Sequence, residues 1–291
     1  MLLASLLFST MGVCVKLASA HYNAGEIVLY RSLVGMLFIA GLTAVRGGSL
    51  RTAVPGMHFW RSLIGVVSLV LWFYAIGQLP LATAITLNYM SSVWMALFLI
   101  GGAVLLGSAR IDPRLIATVL TGFAGVALVL QPTLERDQFR GALAGLASGV
   151  CAAMAYMQVT ALGRVGEPEY RVVFYFSFGG LVAGGLLTLA TGAHAHTWQG
   201  IGLLLATGVL ATVAQMLMTR AYAIGKALSN ASLQYMGIVF SFVYGVLLFD
   251  DPVTASALAG MALIIGAGLA ATRLRQRSAA AAAHDTSTFE S

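Results

Sequence analysis

Tyr74-Ala75-Ile76-Gly77, followed after nine residues by Leu87-Asn88-Tyr89-Met90, returns later as Tyr222-Ala223-Ile224-Gly225 and, after seven residues, Leu233-Gln234-Tyr235-Met236. Each copy straddles the junction between two long apolar segments. Membrane proteins assembled from two related halves hold their ligand between the halves, near the bilayer midplane. The repeated phrases therefore predict a duplicated carrier.

Composition agrees with that prediction. Hydrophobic residues fill 59% of the 291 positions and charged residues only 9%, against about 25% charged in a soluble domain. The chain reads as an all-α polytopic membrane protein embedded in a lipid bilayer. Its net charge of +6 is spread through short connections rather than gathered on one face, so no nucleic-acid partner is expected. Cys14 and Cys151 fall inside apolar segments, where thiols act as small hydrophobes, and no disulfide or redox role is expected.

Ten stretches are long enough to cross a hydrocarbon layer of about 30 Å: 2–19, 26–45, 58–78, 81–106, 114–131, 140–162, 170–190, 198–222, 227–249 and 253–272. Turn residues such as Gly47-Gly48, Asp112-Pro113 and Glu167-Pro168 separate them. If the N-terminus is cytoplasmic, twelve of the sixteen Lys and Arg side chains fall inside, Arg61 among them. Lys16, Arg136 and Arg140 fall outside, and Arg31 lies within a span. That bias predicts both termini in the cytoplasm and a place in the cell inner membrane. Ala18-Ser19-Ala20 imitates a cleavage site, but no basic region precedes the first apolar stretch, so the first span is expected to be retained.

The repeat divides the chain into residues 1–132 and 139–275, five spans each, with 276–291 as a disordered cytoplasmic tail. An odd number of spans inverts the second half relative to the first. Asp112-Pro113 and Asp251-Pro252 open the fifth span of each half alike. With these features the chain resembles the drug/metabolite transporter superfamily, in its EamA-type ten-helix branch, and within it bacterial exporters of amino acids, including aromatic ones. Many members carry Glu before the fifth span of a half where this sequence offers Asp. The resemblance implies a cavity lined by spans 1, 3, 4, 6, 8 and 9, with spans 5 and 10 outside.

Helical spacing selects side chains on those spans. Asn88, Ser91 and Met95 share a stripe with Ser92, and Tyr89 sits beside it. Gln234, Tyr235 and Ser241 occupy the corresponding stretch of span 9. Gln215 and Tyr222 share a face of span 8, Tyr74 and Gln78 end span 3, and Tyr156 and Gln158 belong to span 6. These are the expected substrate-binding residues, since amides in hydrocarbon need partners and point inward. The competing role for each Asn, Gln or Ser is glue between helices. Gly141, Gly145 and Gly149 are expected to form a close-packing face.

No Asp or Glu lies in the centre of a span. A proton-driven carrier of cationic drugs needs a buried carboxylate, so the expected cavity is neutral and polar and suits a zwitterion. Lys16 and Arg31 are expected to snorkel toward the surface, with contact to a substrate carboxylate from the outer mouth as the alternative role of either. His194 and His196 sit in one loop and make a poor metal site. No paired intramembrane Asp, His-Glu-x-x-His helix or Ser with a membrane His occurs, so neither an enzyme nor a cofactor is expected. The expected function is export of amino acids or similar small metabolites, with drugs or nucleotide sugars as the alternative cargo. A monomer is compatible with this.

Overall fold

The computed structural model describes residues 1–91, 93–95, 97–98, 101, 113–130, 136–224 and 235–289. Every regular element among them is helical. In chain order they are α1 (Leu2–Ala18), α2 (Ala24–Arg46), α3 (Pro55–Gln78), α4 (Leu81–Tyr89), α5 (Pro113–Leu130), α6 (Arg136–Arg164), α7 (Glu169–Thr191), α8 (Trp198–Ile224), α9 (Met236–Phe249) and α10 (Ala255–Phe289). Among the described residues, five stretches are long and apolar enough to cross a membrane: Ala24–Arg46, Pro55–Gln78, Gln138–Arg164, Glu169–Thr191 and Trp198–Ala221. Leu2–Ala18, Met236–Phe249 and Ala255–Ala270 are shorter apolar helices.

Local chemistry sets the ends. Asn23 accepts from the Glu26 N–H while the Glu26 carboxylate accepts from the Asn23 N–H, a closed capping box at the start of α2. Gly47 ends that helix at φ 68°, a left-handed conformation that costs glycine nothing. Pro55 opens α3, where its missing N–H would have had no partner. Span 4, expected as one helix, is interrupted at Met90, whose N–H reaches both Thr86 and Leu87 carbonyls before the helix resumes at Ser91. α10 continues to Phe289, through most of the segment expected as a disordered tail. Its run Ala279–Ala283 consists of the residue with the best helix propensity.

α2 lies along α7, α5 along α10, α3 along α6, and α1 along α8, while α4 touches α6 and α9. In lipid such pairs are held by close packing more than by water exclusion. The expected glycine face of α6 does this. A Cβ at Gly145 would come within 2.9 Å of Leu87, and one at Gly149 within 2.7 Å of the Leu87 carbonyl. Outward lie exposed apolar side chains including Phe59, Trp60, Leu186, Leu189 and Leu247. Apolar exposure on that scale is what a lipid-facing surface needs and what a water-facing one avoids.

Candidate functional site

Two arginines and one ring form the centre of the molecule. Arg31 lies seven residues into α2 and Arg61 six residues into α3, each about 10 Å along its helix. Only 5% of Arg31 and 3% of Arg61 is exposed. Their guanidinium carbons stand 5.1 and 4.3 Å from the centroid of Phe176 on α7, cation–π distances in both cases. Gly65, one turn beyond Arg61, leaves room for this arrangement. A Cβ there would collide with Arg61 Nη1 and come within 3.0 Å of Phe176.

These residues border a cavity of about 60 Å³ walled by α1, α2, α3, α4, α6, α7 and α8. Phe8, Ser68, Trp72, Asn88, Tyr156 and Gln215 line it with them. Arg31 Nε, Arg61 Nε and Nη1, and Trp72 Nε1 are buried donors with no hydrogen-bond partner among the described residues. No carboxylate appears among the described lining residues. Burying an unpaired cation costs several kcal/mol, and here two share one pocket. The cavity is therefore cationic, which corrects the neutral vestibule expected from the sequence. Arg31 does not snorkel, because its guanidinium turns inward onto Phe176.

The expected binding residues divide. Asn88, Tyr89, Tyr156 and Gln215 line the cavity. Asn88 is also glue, since its Nδ2 donates to Ser148 Oγ at 3.0 Å and Ser148 donates to the Gly145 carbonyl. Tyr74 and Gln78 are exposed and lie off the site. They follow Trp72 by two and six residues, which places both about 200–240° round α3 from its cavity face. Ser91 is buried and Met95 half-buried, and Gln158 is half-buried with an unpartnered Oε1; none of the three borders the cavity. Ser241 donates to the Gly237 carbonyl and to Ser9 Oγ, joining α9 to α1. Tyr235 is buried against Gly268 of α10. Tyr222 lies in the last turn of α8 with its side chain outside the described residues, and Ser92 and Gln234 lie wholly outside them.

Each end of the bundle carries its own charged cluster. At one end Lys16 Nζ pairs with Asp251 at 3.0 Å, and Asp251 also accepts from the Leu81 N–H. Lys16 is thus fixed rather than snorkelling. At the same end buried Glu26 accepts from the His194 backbone at 2.7 Å and meets His194 Nδ1 at 2.7 Å. At the other end Glu167 Oε1 accepts from Thr52 at 2.8 Å, while Oε2 meets His58 Nε2 at 3.1 Å and Arg171 Nη1 at 3.0 Å. Burial raises the Glu167 pKa, but the Thr52, Arg171 and His58 hydrogen bonds and the Arg171 charge outweigh it. Its carboxyl therefore sits below the ordinary carboxylate value.

Residues 1–131 match the EamA-like transporter family. The chain is 36% identical over 278 residues, 94% of its length and 95% of the relative's, to the pseudopaline exporter CntI of Pseudomonas aeruginosa. The chain belongs to the EamA-like transporter family. Its relatives within the drug/metabolite transporter superfamily also include a riboflavin transporter of Rhizobium johnstonii, 25% identical and covering 95% of this chain and 91% of that one. A crystal structure covering 94% of this EamA-type chain, and covered to 96%, superposes with a TM-score of 0.65 at 21% identity, a likeness of fold.

Arg61 and Phe176 border the cavity without having been expected there, and Arg31 was expected to meet a substrate only from the outer mouth. A signal was present: Arg31-Ser32-Leu33-Val34-Gly35 and Arg61-Ser62-Leu63-Ile64-Gly65 are one phrase written twice. Both copies dock on α7. The arginines lie over Phe176, Ser32 fills the space left by Gly180, and Ser62 fills that beside Gly179.

Proposed function

We propose that the protein is an inner-membrane carrier that exports amino acids or similar small metabolites from the cytoplasm by alternating access. The observation that carries this reading is the central cavity, whose walls come from both sides of the 132–138 division in a chain of a transporter family. Two inverted five-helix halves, together making ten spans with both termini inside, are part of the same proposal. Its support is the pattern of helix pairs: exchanging α1–α5 with α6–α10 turns α3·α6 into α8·α1 and α4·α6 into α9·α1, and leaves α2·α7, α5·α10 and α4·α9 unchanged.

A space of about 60 Å³ is far below the ~300–1,000 Å³ of typical small-molecule sites, so cargo enters only when the walls part. Release of the Glu167 cluster opens one end, and release of the Lys16–Asp251 and Glu26–His194 contacts opens the other. Substrate site and gates are then separate groups of residues, as rocking of one half against the other requires. A second reading, export of a different metabolite, is favoured by the names of the pseudopaline and riboflavin relatives. Radiolabelled flux through purified protein in proteoliposomes tests both. Saturable amino-acid flux supports the first, and flux equal to empty vesicles for every amino acid removes it.

A further inference from the structure

We infer that Arg31 and Arg61 form the recognition site for a small organic anion carrying more carboxylate than ammonium charge, rather than for a neutral zwitterion. The inference deepens the carrier reading and rests on it. Arg31, Arg61 and Trp72 border one cavity, four of their N–H donors are buried without a partner among the described residues, and no described lining residue is a carboxylate. All three residues are more than nine-tenths buried. Donors need acceptors, and two cations within reach of one ring need negative charge. A guanidinium meets a carboxylate through two parallel hydrogen bonds, the geometry its planar fork is built for. Phe176 lies within cation–π distance of both guanidinium groups, so little ordering remains when an anion binds.

The rest of the wall fits the same ligand. Asn88, Tyr156 and Gln215 add polar groups for an amine, amide or hydroxyl, while Phe8, Met11 and Leu69 give an apolar side for a carbon chain. A zwitterion brings one carboxylate and an ammonium that both arginines repel. An anion with a second carboxylate satisfies the donors and leaves no cation unpaired. Cargo charge, on this view, is selected in the middle of the membrane.

The test uses the full chain, purified in detergent and in proteoliposomes, at constant ionic strength. Succinate, glutamate, glutamine, phenylalanine and glycerol 3-phosphate are compared by thermal shift, and labelled succinate, glutamate and phenylalanine by flux. The expected order places succinate and glutamate at half-saturating concentrations at least tenfold below glutamine and phenylalanine. Arg31→Gln and Arg61→Gln each raise the values for the anions at least tenfold, Arg61→Lys restores part of the loss, and Arg51→Gln on an exposed connection changes nothing. Should the glutamine variants not fold, the charge order in the wild-type protein decides alone. Flux of phenylalanine with none of either anion overturns the inference and leaves the carrier reading standing. Binding and flux of none of these compounds overturns the inference, and flux equal to empty vesicles for every amino acid overturns the amino-acid carrier reading as well. Anion flux unaltered in both glutamine variants overturns the site, and stabilisation by glycerol 3-phosphate alone overturns the carboxylate.

Discussion

Asn88 serves the cavity and the bundle at once, and the two roles can be separated. Asn88→Ala removes its bond to Ser148 and should cost about 0.5–1.5 kcal/mol of stability, while also weakening ligand-induced stabilisation. A thermal-shift titration reads both; an unchanged shift at saturating ligand would show that Asn88 is glue alone. Gly65→Ala tests the arginine geometry differently. The new methyl displaces the Arg61 guanidinium, a flexible group, so ligand affinity should fall several-fold with little change in the melting temperature of the empty protein. At this scale the sequence was half legible. An amide such as Asn88 or Gln215 stands out in an apolar segment and the cavity claims both. Arg31 stood out only as a mouth residue, because insertion costs make snorkelling the cheaper expectation for a lone cation. Its inward turn depends on Phe176, which no local pattern marks.

Helix existence follows from apolar length, and seven expected spans lie within four residues of their helices at both ends; α1 ends at Ala18 and α3 at Gln78, for example. Helix facing does not follow from length. A segment apolar all round gives little periodic signal, which is why Tyr74 and Gln78 were expected at the site and are exposed. Glycines carry part of the missing information. At Gly149 the α4 backbone is the obstacle, so Gly149→Ala should destabilise the α6–α4 contact by about 1–3 kcal/mol. Unfolding titrations in detergent measure it, and a wild-type midpoint would mean the helices separate freely. The Glu167 cluster joins the connections before α3 and α7. A carboxyl whose folded pKa is lowered adds stability that is complete above its unfolded value, near 4.5, and is lost as pH falls through the lower folded value. Glu167→Gln should therefore flatten the acid limb of the stability profile below that pH and cost about 1–3 kcal/mol at neutrality. Identical acid limbs in the two proteins would place the pH sensitivity elsewhere.

For the whole molecule, the duplicated phrases and the cation count predict a topology open to direct measurement. A reporter fused after Arg277 should be active only in the cytoplasm, and one inserted after Gly192 only outside. The reverse pattern would overturn the placement of both termini in the cytoplasm. The cavity's walls were legible as elements for α1, α3, α4, α6 and α8, all expected to line it. α2 and α7 enter because each presents one long side chain, Arg31 or Phe176, across the central gap.

One ring beneath two cations has a thermodynamic corollary. If Phe176 organises both, then Phe176→Leu loosens Arg31 and Arg61 together, and the penalty of a second substitution at either arginine shrinks. Double-mutant cycles should show non-additivity for each arginine with the ring. Such linkage would let helices α2 and α3 sense the same bound anion through α7, giving the carrier a means of telling loaded from empty before either mouth moves.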